Sequence, residues 1–167
     1  MKKSFQIIQL HVLLVLFSSF QKQEEKTYPL TVKVMDLRNS KGVVQFALYN
    51  TEDSFPDEHY KKYYRKLTAK IANGASTVTF ENLPVGRYAV NVLHDEDADG
   101  KIEKGIILPK EGIGFSNFQS LKITNRPTFK KAAFDFDSQK SIEVDVIYML
   151  TRIELINKEY ISIKISK

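Results

Sequence analysis

The first regular pattern in the chain is alternation. In "YPLTVKVMDL", Leu30, Val32 and Val34 alternate with Thr31 and Lys33, the period of a strand with one buried face. "KGVVQFALYN" repeats it, with Val44, Phe46 and Leu48 on one face and Val43, Gln45, Ala47 and Tyr49 on the other. Turn-forming residues from Arg38 to Gly42 lie between the two, which predicts a hairpin. Residues 51 to 65 are polar and irregular, and Pro56 interrupts any element crossing them, so they read as a long connection with room for one helical turn. Asn73-Gly74 sits between two short alternating runs and predicts a second hairpin, because both residues tolerate positive φ. Pro84 and Gly86 then turn the chain into a strand with Tyr88, Val90, Val92 and His94 on one face and Ala89, Asn91 and Leu93 on the other. After a loop-rich stretch from Glu96 to Lys131, "AAFDFD" and "SIEVDVIYML" predict a last hairpin, turning near Asp137 to Lys140. Ile142, Val144, Val146 and Tyr148 point inward there, and Glu143 and Asp145 point to water.

About seven short strands with turn signals between them, and no convincing helix, predict an all-β, antiparallel β-sandwich. Val32, Val34, Phe46, Leu48, Val90, Val92, Val144 and Val146 are its expected core. Residues 1–20 have a different character. Lys2 and Lys3 precede an apolar stretch from Phe5 to Phe17, and Ser18 and Ser19 follow. This is the order of a signal peptide, shorter in its apolar part than the ~20 residues of a membrane-spanning helix. Phe17 makes a poor cleavage site, so an uncleaved anchor is the competing reading. Residues 21–29 read as a linker, 30–150 as the sandwich, and 151–167 as an extension. In that extension Ile161, Ile163 and Ile165 suit an edge strand, and a disordered tail is the alternative.

Composition agrees with a folded domain: 43% of the 167 residues are hydrophobic and 11% aromatic. There is no cysteine, so export would bring no disulfide and stability rests on the core, or on the core and an ion. The formal charge of +5 is misleading. Lys2 and Lys3 leave with the signal peptide, and the tail from Thr151 holds four bases against two acids. The body is nearly balanced, without the overall basic charge of a nucleic-acid binder.

That body concentrates its acids in one place. From Asp95, carboxylates fall at relative positions 1, 3, 5 and 9 (Asp95, Asp97, Asp99 and Glu103), with Gly100 at position 6. This is the first part of a calcium loop, in which alternate side chains converge on one ion and position 7, here Lys101, offers its backbone carbonyl. The twelfth position holds Ile106 instead of a bidentate glutamate, and a strand stands where a helix normally leads in. Oxygen ligands alone favour calcium over zinc or copper. The candidate metal ligands are therefore Asp95, Asp97, Asp99, the Lys101 carbonyl and Glu103; Glu111 in the next loop is within reach of completing the cage, but the favoured reading is that Lys110 and Glu111 decorate a turn. The plain alternative is a solvated acidic turn whose side chains satisfy its own backbone.

Other chemistry is weaker. His94 and Ser116 suggest a hydrolase, but Phe118 stands where a nucleophile elbow needs glycine,. "HYKKYYRK" interleaves Tyr60, Tyr63 and Tyr64 with bases, a surface suited to a carbohydrate or peptide, though for one short run a solvated loop whose tyrosines cover the sandwich is the favoured reading. "GIGFSNF" lacks the spacing of a phosphate loop, and reads as a tight turn placing Phe115 and Phe118 against one end of the sandwich.

Taken together, "NLPVGRYAVNVLHDEDADGKIE", "LPKEGIGFSN" and "RPTFKKAAFDF" resemble the domain-of-unknown-function family 2141, a set of exported bacterial proteins. The resemblance covers about Leu30 to Tyr148. It implies a sandwich similar to transthyretin-like domains, and it implies no activity. Asp97 and Asp99 stand where the family usually has asparagine, and Lys130 and Lys131 where acids are frequent, so the lysines offset the acidic loop if they lie near it. The expectation is a non-enzymatic exported module of the periplasm or cell surface. Its partner would be a protein or glycan of the cell envelope, with no nucleic acid and no membrane span in the mature form.

Overall fold

A computed structural model describes residues 25–57, 60–100, 111–120 and 125–148. The expected signal peptide, residues 21–24 of the expected linker, Lys101, Glu103, Ile106 and the extension lie outside them. Among the described residues there are eight strands: β1 (Thr27–Val34), β2 (Val43–Tyr49), β3 (Arg65–Lys70), β4 (Ser76–Pro84), β5 (Gly86–Asp95), β6 (Gly112–Phe115), β7 (Phe134–Phe136) and β8 (Lys140–Glu143). They form two sheets, one ordered β4-β1-β8 and the other β3-β2-β5-β6, with β7 pairing the start of β5. The all-β sandwich is thus as expected, except that β8 runs parallel to β1. The sequence also hid a single turn of helix, α1 (Phe129–Ala132). Among the described residues no helix is long and apolar enough to cross a membrane.

Seven of the eight expected core residues are at most 1% exposed, and Val146 is half-buried against them. The expected hairpins are different. β1 pairs with β4 and β2 with β3 and β5, so the Arg38–Gly42 turn joins two sheets. Asn73 and Gly74 do make a tight turn with positive φ, closed by Ala72 and Ala75, yet it leads from β3 in one sheet to β4 in the other. The last hairpin fails in the same way, since β7 pairs with β5 and β8 with β1. Tight turns here cross the sandwich, while the long connections 50–64 and 96–111 link neighbours within a sheet. Alternation reports which face of a strand is buried. It carries no information on which strand lies alongside.

A second departure concerns the outer face of the larger sheet. Alternation predicts one buried face, but β2 is buried from Val44 to Tyr49 and β5 from Tyr88 to Asp95. Ala47, Tyr49, Ala89 and Leu93 face outward into a second apolar layer of Phe55, Tyr60, Phe115, Phe118 and Phe129. Phe55 holds it together through edge-on contacts with Tyr49, Phe115 and Phe129, at 5.3 to 6.4 Å between ring centres, the geometry preferred by aromatic quadrupoles. Phe115 and Phe118 therefore cover the sheet instead of plugging its end.

The sides of the sandwich are closed individually. Arg65 donates to the carbonyls of Glu81 (2.6 Å) and Asn82 (3.1 Å), tying β3 to β4. On the other side, the chain leaving β8 meets β6 through paired Ile113–Ile147 hydrogen bonds. Gly114 makes that approach possible, because a Cβ there would overlap the carbonyl oxygen of Asp145. This is the purpose of the glycines in "GIGFSNF".

Candidate metal centre at the end of β5

Strand β5 ends on His94 and Asp95, Glu96 follows at once, and each of the three side chains is held differently. His94 is fully buried. Its Nε2 lies 3.0 Å from the Lys41 carbonyl and its Nδ1 2.6 Å from the Tyr148 hydroxyl. A carbonyl only accepts, so Nε2 carries the hydrogen, and in the neutral ring Nδ1 is left to accept from Tyr148. Asp95, 1% exposed, accepts from Gln45 Nε2 at 2.6 Å and Gly100 N at 3.0 Å through Oδ2, and from Asp99 N at 3.2 Å through Oδ1. Glu96 pairs with Arg38, whose Nε donates at 2.6 Å, and takes a 3.0 Å bond from Asn39. The Arg38 guanidinium also sits 4.7 Å from the Tyr148 ring centre, within cation–π range.

Past this anchored triplet the loop is open to water. Asp97 and Asp99 are exposed, and Asp97 Oδ1 accepts from Asp99 N at 3.1 Å. Ala98 and Gly100 both take positive φ, which curls the backbone so that side chains 95, 97 and 99 turn to one side. One carboxylate oxygen from each of Asp95, Asp97 and Asp99 lies within 4.8 Å of the others. The donor set is all oxygen, as calcium prefers. Bonds to backbone N–H groups occupy one lone pair of a carboxylate oxygen and leave others toward an ion. The residues thus fit a divalent cation, and they equally satisfy their own backbone.

Two further residues weighed beside the loop have other partners. Glu111 is buried, 3% exposed, and its Oε1 accepts from Glu96 N at 3.0 Å. It braces the loop from beneath and stands outside the three-carboxylate cluster. Lys131 Nζ donates to Asn125 Oδ1 at 3.1 Å, so it serves the approach to α1, and among the described residues Arg38 is the cation that pairs with the acidic loop. Sequence reasoning passed over Arg38, Asn39 and Gln45. Only Gln45, a polar residue within an apolar strand, carried any signal.

The other candidates do not assemble. Ser116 is buried; its hydroxyl donates to the Ala132 carbonyl at 2.7 Å and accepts from Val90 N at 2.9 Å. Val90 and His94 are four residues apart on β5, about 13 Å at strand rise. Ser116 and His94 therefore do not meet, and the geometry lends no support to a hydrolase. Tyr60, 4% exposed, is an interior residue whose hydroxyl donates to Asn91 at 2.7 Å, whereas Tyr63 and Tyr64 stay exposed.

Glu96 gives a pH test. Partial burial acts against its charge, but the Asn39 and Arg38 hydrogen bonds outweigh it and hold the carboxyl below its ordinary value. A depressed carboxyl contributes stability above its unfolded value, about pH 4.3, and loses it as pH falls through the folded one. Glu96→Gln should accordingly flatten the loss of stability with acid below about pH 4.3, measured as urea midpoints from pH 3 to 7. An unchanged slope would show that the pair contributes nothing.

Comparisons place this site in context. No curated protein matches the chain. A crystal structure of a DUF3823 family protein from Parabacteroides merdae aligns at 12% identity with a TM-score of 0.35, over 77% of this chain. The alignment spans about half of that structure, 51%. The family described as "Uncharacterized protein conserved in bacteria (DUF2141)" matches residues 32–144, from within β1 to just past β8 and including the whole acidic loop from Asp95 to Glu103. With the match covering more than half of the chain and most of the sandwich core, this protein belongs to the bacterial family DUF2141.

Proposed function

We propose that this protein is an exported, non-enzymatic β-sandwich that binds calcium at the Asp95–Asp99 loop and serves as a binding or structural module of the cell envelope. The observation that carries the reading is the convergence of the Asp95, Asp97 and Asp99 carboxylates within 4.8 Å. Three like charges so close repel one another. Asp95 is held there by Gln45 and by the loop's own backbone, and Glu96 beside it by Arg38 and Asn39. A rigid frame that presents carboxylates to one point is what a hard cation rewards. The Lys101 carbonyl and Glu103 follow directly in the chain and are the proposed remaining ligands. Export rests on the basic start and the short apolar stretch of residues 1–20,. A location outside the cytoplasm would also expose the loop to the millimolar calcium that a partial cage requires.

Thermal melting with and without calcium tests this. A ligand that binds only the folded state stabilises it by about 2.7 kcal/mol at ~100 times its Kd. Millimolar calcium should therefore raise the melting temperature. Asp97→Ala and Asp99→Ala, both at exposed positions, should abolish the rise without unfolding the apo protein. Magnesium should act more weakly, because it demands stricter geometry and resists dehydration. A melting curve indifferent to calcium would reduce the loop to a solvated turn.

A further inference from the structure

The run from Lys61 to Lys70 contains five basic residues and no acid. It comprises the end of the connection over the sheet and all of β3, an edge strand of the larger sheet. The ion pairs Arg38–Glu96 and Arg87–Asp135 lie outside the strip, and within it Lys66 Nζ donates to the neutral Gln45 Oε1 at 3.2 Å. Within it Tyr63 and Tyr64 are 39% and 40% exposed. Lys66 Nζ lies 5.4 Å from the Tyr63 ring centre and the Arg65 guanidinium 5.4 Å from that of Tyr64. The backbone at the start of the strip is fixed, since the buried Asp57 carboxylate accepts from Lys61 N and Lys62 N, both at 2.6 Å. Tyr63 and its flanking cations thus project from a rigid base.

We propose that this strip binds a linear, carboxylate-bearing polysaccharide. The reading deepens the binding-module role above and is independent of calcium. Successive negative charges on an extended polymer match cations spaced along a strand. Lys66 and Lys70 share one face of β3, about 13 Å apart at strand rise. The exposed Tyr63 ring offers an apolar face with a polar tip, suited to the C–H face of a sugar ring. An acidic peptide added to β3 as a further strand is disfavoured, because Arg65 already crosses that edge to β4 and edge lysines discourage strand pairing. A membrane is disfavoured too, because Leu67 is the strip's one exposed large aliphatic side chain, little to insert into lipid.

The test is a titration of the full chain with oligogalacturonate at low salt in EDTA, followed by amide NMR shifts. Shifts should centre on residues 61–70. Affinity should fall at least about tenfold for Tyr63→Ala and for the Lys61→Gln/Lys62→Gln double variant, and it should fall with added salt as charge-driven binding does. Both variants alter exposed side chains and should keep the parent melting temperature. Fully methyl-esterified oligogalacturonate, which lacks the charge, should not bind. Absence of shifts, equal binding of polyglutamate or of phosphatidylglycerol vesicles, or an unaffected Tyr63→Ala variant would each overturn the proposal. Because EDTA removes calcium, failure here leaves the calcium melting result to be judged separately.

Discussion

Gly42→Ala should destabilise the protein by roughly 2–5 kcal/mol, combining about 1–2 for the left-handed conformation with about 1–3 for overpacking. Gly42 has φ of +66°, and a Cβ there would overlap the Asp95 carbonyl oxygen and approach Glu96 Cα to 2.7 Å. These are backbone atoms of the acidic loop, so no side-chain rotation relieves the contact. Either the 38–42 turn moves away or the loop does. The calcium-dependent rise in melting temperature should shrink along with the stability, because Asp95 would lose its position. Gly74→Ala is the control. Gly74 also has positive φ (+72°), but a Cβ there would meet only the Leu37 carbonyl oxygen, at 3.8 Å. Only the conformational cost, about 1–2 kcal/mol, should remain. Urea denaturation of both variants separates the two contributions. Equal losses would show that the loop accommodates the methyl group and that close approach is not what demands glycine at position 42.

The largest loss should come from Phe46→Ala, at about 3–5 kcal/mol for a fully buried aromatic ring. Phe46 is 0% exposed at the centre of β2, opposite Val92 on β5 and Leu67 on β3. Its ring belongs to the core between the two sheets, where both neighbouring strands are hydrogen-bonded in place and can move little to fill a cavity. Against typical domain stabilities of about 5–15 kcal/mol, such a loss leaves a marginal fold. Val146→Ala should cost far less, because Val146 is only half-buried. A Phe46→Ala midpoint close to the parent's would mean that the interior is loosely packed.

Both predictions rest on close contacts between distant parts of the chain, and they show how far the sequence could be read. The inward residues of each strand followed from alternation, since side chains at i and i+2 must share a face. The acidic loop was equally legible, because Asp95, Asp97, Asp99 and Gly100 form a local pattern whose spacing alone brings the carboxylates together. Strand pairing was not legible. A tight turn such as Asn73-Gly74 reverses the chain whether its strands pair or separate into two sheets. The choice depends on where β1 and β2 find partners, β4 and β5, many residues away. Nor did the sequence reveal that β2 and β5 are buried on both faces, because the covering residues Phe55, Phe118 and Phe129 arrive from irregular connections with no periodicity. The same holds around the candidate metal centre. Asp95 announces itself locally. Gln45, Arg38 and Asn39, which hold the loop, come from positions 50 to 58 residues away, and only packing of the sheets decides that they meet it.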